Sequence, residues 1–298
     1  MKKLNWFFLI AIIIISSCKN SNDDNEKSQE NCYFNSNATI IEHNGIDREY
    51  VLYVPSSYDA TSSTPLMLNF HGYGGTASLF MQDADMRSLA DENGFILAYP
   101  QGSCLNGDPH WNVCPTSNDN KSTADDFGFV ESMITKISSE YNIDMERIYA
   151  AGYSNGGMMA YGLANYKSNL IAAIASVSGT MLDCYGSTSH PMPLILLHGT
   201  SDFVLPYNGN SDSASVDDTL NYWINFNNTN STAIINSETN NGNTIEHYVY
   251  NQGDNNVSVE HYKYIDGEHV WFKNTYQGKN ASELVWNFVS KYDINGLR

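Results

Sequence analysis

The sequence predicts an α/β fold with a mostly parallel central sheet and helices on both faces, and three observations carry that expectation. From about residue 40, short β-type runs alternate with helical ones. Several of those runs are apolar from end to end. No linker, repeat or low-complexity break interrupts the alternation before residue 298. Strand–helix alternation is the pattern of a parallel sheet covered on both sides, and strands buried on both faces lose the in–out alternation of a half-exposed strand.

Taken in order, residues 48–54 (REYVLYV) alternate apolar and polar positions as an edge hairpin strand does, whereas residues 66–70 (LMLNF) and 95–99 (FILAY) read as buried strands. Residues 76–92 between them are helical in composition. In residues 123–141, Phe127, Val130, Ile134, Ile137 and Tyr141 step by three and four and so line one helical face. A strand over 147–151, a helix from Asn155, and strands over 171–177 and 193–197 follow. Next come a helix over 216–227, strands over 244–250 and 257–265, and a last helix over 281–292 that buries Ala281, Leu284, Val285 and Phe288. In such a sheet the binding crevice lies at the carboxyl ends of the strands, so chemistry is expected just after them.

Composition fits one sizeable core, with 42% hydrophobic residues and 12% aromatics in 298. Fifteen basic against 33 acidic residues give a net charge of −18, which excludes the phosphate-binding face a nucleic acid would need. A monomer is expected.

Residues 1–17 read as a lipoprotein signal peptide: Lys2 and Lys3, an apolar run too short for a comfortable membrane span, then Ser16 and Ser17 before Cys18. The Ile15-Ser16-Ser17-Cys18 end resembles a bacterial lipobox, with Cys18 as the lipidated residue. Residues 18–38 form a polar tether whose first part lacks the apolar residues needed to offset the entropy of ordering. Asp23-Asp24 resembles the acidic tract that sends certain Gram-negative lipoproteins to the cell surface. The expected location is therefore the outer membrane, facing the cell surface or the periplasm. The catalytic domain is expected over 39–298, its membrane attachment by lipid alone.

The four remaining cysteines invite two disulfides in an oxidising compartment, and three connectivities are possible. Cys104 and Cys114 lie ten residues apart in one loop and are expected to pair, leaving Cys32 with Cys184. No zinc-type spacing occurs, so no metal or cofactor is expected.

Residues 152–156 (GYSNG) place G-x-S-x-G where a buried strand meets a helix. A serine in such a turn is exposed at the sheet rim beside unpaired N–H groups of the helix start, as a nucleophile requires. The glycine-rich turn at 71–75 (HGYGG) follows another buried strand, and its Tyr73 N–H can join that of Asn155 as an oxyanion hole. His71 is expected to brace that turn. An α/β-hydrolase supplies the acid and then the base downstream of the serine. Asp202 follows the strand at 193–197, with Asp183 the rival position and Asp217 and Asp218 expected as helix caps. His269 lies in a loop after a strand, whereas His247 and His261 fall inside strands.

At this point the chain resembles the α/β-hydrolase esterases of the polyhydroxybutyrate depolymerase type and their feruloyl and acetyl-xylan esterase relatives. HGYGG at 71–75, WN at 111–112, DDFGF at 125–129, GYSNGGMMA at 152–160, HGTSDFVLPYNG at 198–209 and GEHVW at 267–271 carry the likeness in order. The resemblance implies Ser154 as nucleophile, Asp202 as acid, His269 as base, and Tyr73 and Asn155 as oxyanion positions. The chain departs from the family's glycine-rich G-G-G-H-x-W-P segment, with Glu268 before the histidine and Phe272 in place of the proline.

The expected activity is a secreted serine carboxylesterase working through an acyl-enzyme on feruloyl- or acetyl-type esters of plant polysaccharide. Short polyhydroxyalkanoate esters are the alternative, and a catalytically inert glycan-binding lipoprotein is the reading from another class. No separate substrate-binding domain is expected after residue 298, which weighs against a solid polymer. About a dozen residues separate Gly179 from Pro193, too few for a large lid. Trp111, Phe203, Tyr207 and Trp271 are expected to line the pocket rim.

Overall fold

A computed structural model of the chain describes residues 37–115, 122–211, 213–240 and 242–298. The expected signal, the lipidation site Cys18, Cys32 and most of the tether lie outside the described residues.

The chain opens with a hairpin of β1 (Thr39–His43) and β2 (Ile46–Tyr53), then β3 (Thr64–Phe70), α1 (Ala77–Asp83), α2 (Arg87–Asn93) and β4 (Ile96–Pro100). A small hairpin, β5 (Ser103–Leu105) with β6 (Asp108–His110), precedes α3 (Asp126–Glu140), β7 (Ile143–Tyr153), α4 (Asn155–Tyr166), β8 (Ala173–Val177) and β9 (Leu194–Gly199). There follow α5 (Val216–Phe226), β10 (Ile234–Asn240), β11 (Asn243–Tyr250), β12 (Val259–Tyr264) and α6 (Ala281–Val289). A short pair, β13 (Tyr292–Asp293) and β14 (Gly296–Leu297), closes the chain.

The main sheet has the order β1-β2-β4-β3-β7-β8-β9-β12-β11-β10. From β4 to β12 every neighbour is parallel, while β1 and β2 at one edge and β11 and β10 at the other are antiparallel. The apolar runs explain the centre: β3, β4, β8 and β9 are buried throughout. Their side chains alternate between two cores. Leu66, Leu68, Ile96 and Ala98 meet Phe129, Val130 and Ile134 of α3, Leu163 of α4 and Trp223 of α5 on one face. Met67, Leu97 and Tyr99 meet Phe80 of α1 and Leu284, Val285 and Phe288 of α6 on the other. This is the α/β-hydrolase arrangement.

Two expectations change. The helical stretch over 76–92 is two helices, broken at Ala84-Asp85-Met86. There the Asp85 carboxylate accepts the N–H of Arg87 at 3.0 Å, a local bond that competes with the helical one, while Ala84 gives its carbonyl to the Tyr99 hydroxyl at 2.9 Å. The disulfide pairing also differs. Cys114 is bonded to Cys184, 70 residues away, with Cα atoms 5.9 Å apart. Cys104 is itself disulfide-bonded, so its expected bond to Cys114 is excluded. The pairing is long-range because Cys114 lies against the loop after β8, which carries Cys184; the expected Cys32–Cys184 bond is excluded with it.

Candidate active site

Three loops at the carboxyl ends of β7, β9 and β12 bring Ser154, Asp202 and His269 together. The Ser154 Oγ lies 2.9 Å from His269 Nε2, and His269 Nδ1 lies 2.7 Å from Asp202 Oδ2. The order along the hydrogen-bonded line, hydroxyl to imidazole to carboxylate, lets the ring take a proton from the serine while the carboxylate supports the resulting charge.

Ser154 sits between β7 and α4 with φ 54° and ψ −120°, a strained conformation for a residue with a side chain. Its neighbours make the bend possible. A Cβ on Gly152 would fall on the carbonyl of Gly156, and one on Gly156 would fall on the carbonyl of Phe70. The turn is held to the next strand by the Ser154 N–H, which donates to the Val177 carbonyl at 2.9 Å.

Asp202 is buried at the end of β9. Burial alone would raise its pKa, yet hydrogen bonds from His198, His269 and the Leu205 N–H outweigh that and hold the carboxyl well below the usual range. The N–H groups of Val204 and Leu205 reach Oδ1 at 2.9 and 2.8 Å. The acid is thus fixed as an ion.

The loop carrying His269 is tied down on several sides. The Tyr153 hydroxyl donates to the His269 carbonyl at 2.8 Å and the Ser178 hydroxyl to the Val270 carbonyl at 3.0 Å. Ser201 N–H bonds the Gly267 carbonyl at 2.9 Å, joining the acid loop to the base loop. The competing histidines are committed elsewhere. His261 gives Nδ1–H to Leu196 and accepts from the Tyr207 hydroxyl at Nε2, and burial pushes its pKa down to about 3. His247 bonds Glu260 at 2.8 Å. Asp183 lies beside Tyr185, and Asp217 and Asp218 occupy the first turn of α5, whose cap is Ser215.

Asn155 is the first residue of α4, directly after Ser154, so its N–H has no intrahelical partner one turn back. The turn at 71–75 packs directly on Ser154: a Cβ on Gly72 would stand 3.3 Å from the Ser154 Cβ. His71 braces that turn from behind. Its Nδ1–H donates to the Gly72 carbonyl at 2.7 Å and its Nε2 accepts the Gly102 N–H at 2.9 Å. Burial lowers its pKa to about 4, which keeps the ring neutral.

The four residues expected at the rim divide. Phe203, 77% exposed, stands beside Asp202 on the solvent side. Trp111 is 2% exposed, and its indole N–H donates to the His71 carbonyl at 2.9 Å, so it braces the turn at 71–75 from within. Trp271, 7% exposed, packs edge-on against Phe80 and donates to the Ser282 hydroxyl at 3.1 Å. Tyr207 is tied to His261 at 2.8 Å and packs near His198 behind the acid. These three rings face inward because each has a hydrogen-bond partner in the interior, which aromatic type alone does not reveal. Tyr73, Val204 and Val270 are also exposed, each on a loop that carries a site residue. Val204 and Val270 were not singled out in the sequence, although each lies within two residues of the acid or base.

The remaining shared motifs form a buried polar brace. Asp126 pairs with Arg48 at 2.6 Å and accepts the Asn112 N–H at 2.7 Å, and the Arg48 guanidinium lies 4.0 Å over the Phe129 ring. The brace anchors the segment that runs from β5 to Trp111.

Comparison with known proteins finds related sequences and a shared fold. The family model described as esterase PHB depolymerase matches residues 48–218. A bifunctional acetylxylan esterase/xylanase from Neocallimastix patriciarum is 33% identical over 163 residues, 55% of this chain and 22% of that protein. Feruloyl esterase B from Piromyces equi is 31% identical over 54% of this chain and 30% of its own length. The chain therefore spans less than a third of these two relatives. Among solved structures, an acetyl xylan esterase from Aspergillus awamori superposes with a TM-score of 0.58 at 17% identity, covering 82% of this chain and 94% of that one, a likeness of fold.

Proposed function

The chain belongs to the esterase PHB depolymerase family, and from that premise we propose that it is a serine carboxylesterase acting through an acyl-enzyme. The observation that carries this reading is the hydrogen-bonded line from Ser154 through His269 to Asp202, assembled from three separate strand ends.

Ser154 Oγ attacks the ester carbonyl carbon as its proton passes to His269 Nε2. The N–H groups of Tyr73 and Asn155 stabilise the oxyanion, for which the loss of one donor costs about 3–4 kcal/mol of barrier. Collapse breaks the bond to the alcohol, which leaves with the proton from His269. Water then attacks the acyl group, gives a proton to the same nitrogen, and releases the carboxylic acid while Ser154 regains its proton. Asp202 keeps the imidazole oriented throughout.

The substrate class is feruloyl or acetyl esters of plant polysaccharide. It is supported by the names of the relatives and by the exposed Tyr73, Phe203, Val204 and Val270 on the loops that carry the site residues. A panel of methyl ferulate, acetylated xylan and 3-hydroxybutyrate oligomers tests it. Highest kcat/KM on either of the first two is expected, and preference for the oligomers would transfer the assignment to polyester hydrolysis. The enzyme is exported and lipid-anchored through Cys18, on the strength of residues 1–18. Mass spectrometry of the mature protein should find an acylated Cys18 at its start, and an unmodified different start would refute the anchor.

A further inference from the structure

We propose that His198 is a positioning residue for the reaction, a second histidine set beside the triad carboxylate; this rests on the reading of Ser154, His269 and Asp202 as the reacting constellation. His198 is buried in β9, four residues before the acid. Its Nε2 lies 2.9 Å from the Leu205 carbonyl oxygen and 3.3 Å from Asp202 Oδ2. Both neighbours are acceptors, so Nε2 carries a hydrogen, which it donates to the Leu205 carbonyl while its positive end lies beside the Asp202 carboxylate.

The carboxylate's other contacts define what that hydrogen does. Oδ1 takes the N–H groups of Val204 and Leu205, and Oδ2 takes His269 Nδ1–H. A carboxylate has about four acceptor positions, three of them taken by these donors, and His198 Nε2 lies 3.3 Å from Oδ2. It meets the same oxygen that holds the base and also ties down the Leu205 carbonyl, whose N–H holds Oδ1. Loop and acid are thereby set by one ring nitrogen.

The other nitrogen strengthens the point. Among the described residues, Nδ1 of His198 is buried without a hydrogen-bond partner, a cost that an apolar side chain of similar size would avoid. The ring's polar contribution to this position is therefore its Nε2–H. The titratable groups around it are Asp202, with His269 beyond it, Tyr207 at 5.9 Å between ring centres, and His261 and Lys263 on the adjacent β12. Removing the Nε2–H leaves more of the carboxylate's charge directed at His269 and raises the proton affinity of the base.

The test compares His198→Gln, whose amide reaches the Nε2 position with two hydrogens, against the shorter His198→Asn and the apolar His198→Leu. For Asn and Leu, kcat should fall by about 10- to 100-fold, the loss expected when a catalytic group is misplaced by about 1 Å. KM should change little, and the acidic limb of the kcat/KM profile should move to higher pH. Gln should restore most of the rate and the wild-type limb. Equal behaviour of Gln and Asn, or rates and limbs in all three close to wild type, would overturn the proposal. NMR titration of the His269 ring in a Ser154→Ala background reads the same effect without turnover. An upward shift with Asn but not Gln is expected, and one common titration would refute it. Hydrolysis retained by Ser154→Ala alone would instead fail the underlying reading, and the NMR comparison would still decide the role of His198.

Discussion

Trp111 and Asn155 hold each other through a reciprocal pair of hydrogen bonds. The backbone N–H of Trp111 donates to Asn155 Oδ1 at 2.7 Å, and Asn155 Nδ2 donates to the Trp111 carbonyl at 3.2 Å. The Trp111 indole then reaches the His71 carbonyl, so one residue links the start of α4 to the turn at 71–75, the two segments proposed to hold the oxyanion. Asn155→Ala keeps the backbone N–H and removes only this tie. We expect kcat for a p-nitrophenyl ester to fall by about 10- to 100-fold with KM little changed, since the donors lose alignment by a fraction of an ångström to about 1 Å. Unchanged kcat would show that the turn at 71–75 holds its geometry without the clamp.

The bend at Ser154 depends on the absence of a side chain at Gly156. Gly156→Ala sets a methyl group against the carbonyls of Phe70 and His71, which are backbone atoms at the end of a buried strand and cannot rotate away. Overpacking of this kind costs about 1–3 kcal/mol or more. A lowered Tm together with lost fluorophosphonate labelling is the expected result, and a variant with wild-type Tm and labelling would contradict the steric account.

Two buried neutral histidines give the protein an acid-sensitive range. Burial lowers His71 to about 4 and His261 to about 3, against about 6.5 for an unfolded chain. As pH falls, the unfolded state takes up these protons first, so their contribution is complete above about pH 6.5 and is lost from there down to the folded values. Each site costs roughly 1.4 kcal/mol per pH unit within its window. Asp202, held low in the folded state, adds loss in the same direction only below about pH 4. Urea midpoints should drop between about pH 7 and pH 5. A flat midpoint over that range would show that the two rings are not held neutral.

The Cys114–Cys184 bond closes a loop with a sequence separation of 70. Chain entropy assigns such a crosslink about 4 kcal/mol. Non-reducing peptide mapping should recover the Cys114 and Cys184 peptides joined, and Cys184→Ser should lower the Tm by several degrees. A Cys104–Cys114 peptide would contradict this pairing.

Most of the sheet was legible because its strands carry unbroken apolar runs, and the Ser–Asp–His order followed from placing each residue just after such a run. Two strands escaped. Residues 234–240 (IINSETN) are almost wholly exposed, so no burial pattern marks β10, and β1 is half-exposed at the opposite edge. Such edge strands are defined by pairing with a neighbour, which a local pattern does not carry. Trp111 and Trp271 were misplaced for a related reason: their indole N–H groups find partners 40 and 11 residues away in sequence. The triad itself was readable, whereas the donors that fix it, His198, Tyr153 and Ser178, arrive through tertiary contacts.

The central claim is that Ser154 is the nucleophile activated by His269. Intact-mass and peptide mass spectrometry after treatment with a fluorophosphonate measures it most directly. One adduct is expected, on Ser154, absent in Ser154→Ala and strongly slowed in His269→Ala. Labelling that persists in Ser154→Ala, or proceeds at the wild-type rate without His269, would contradict it.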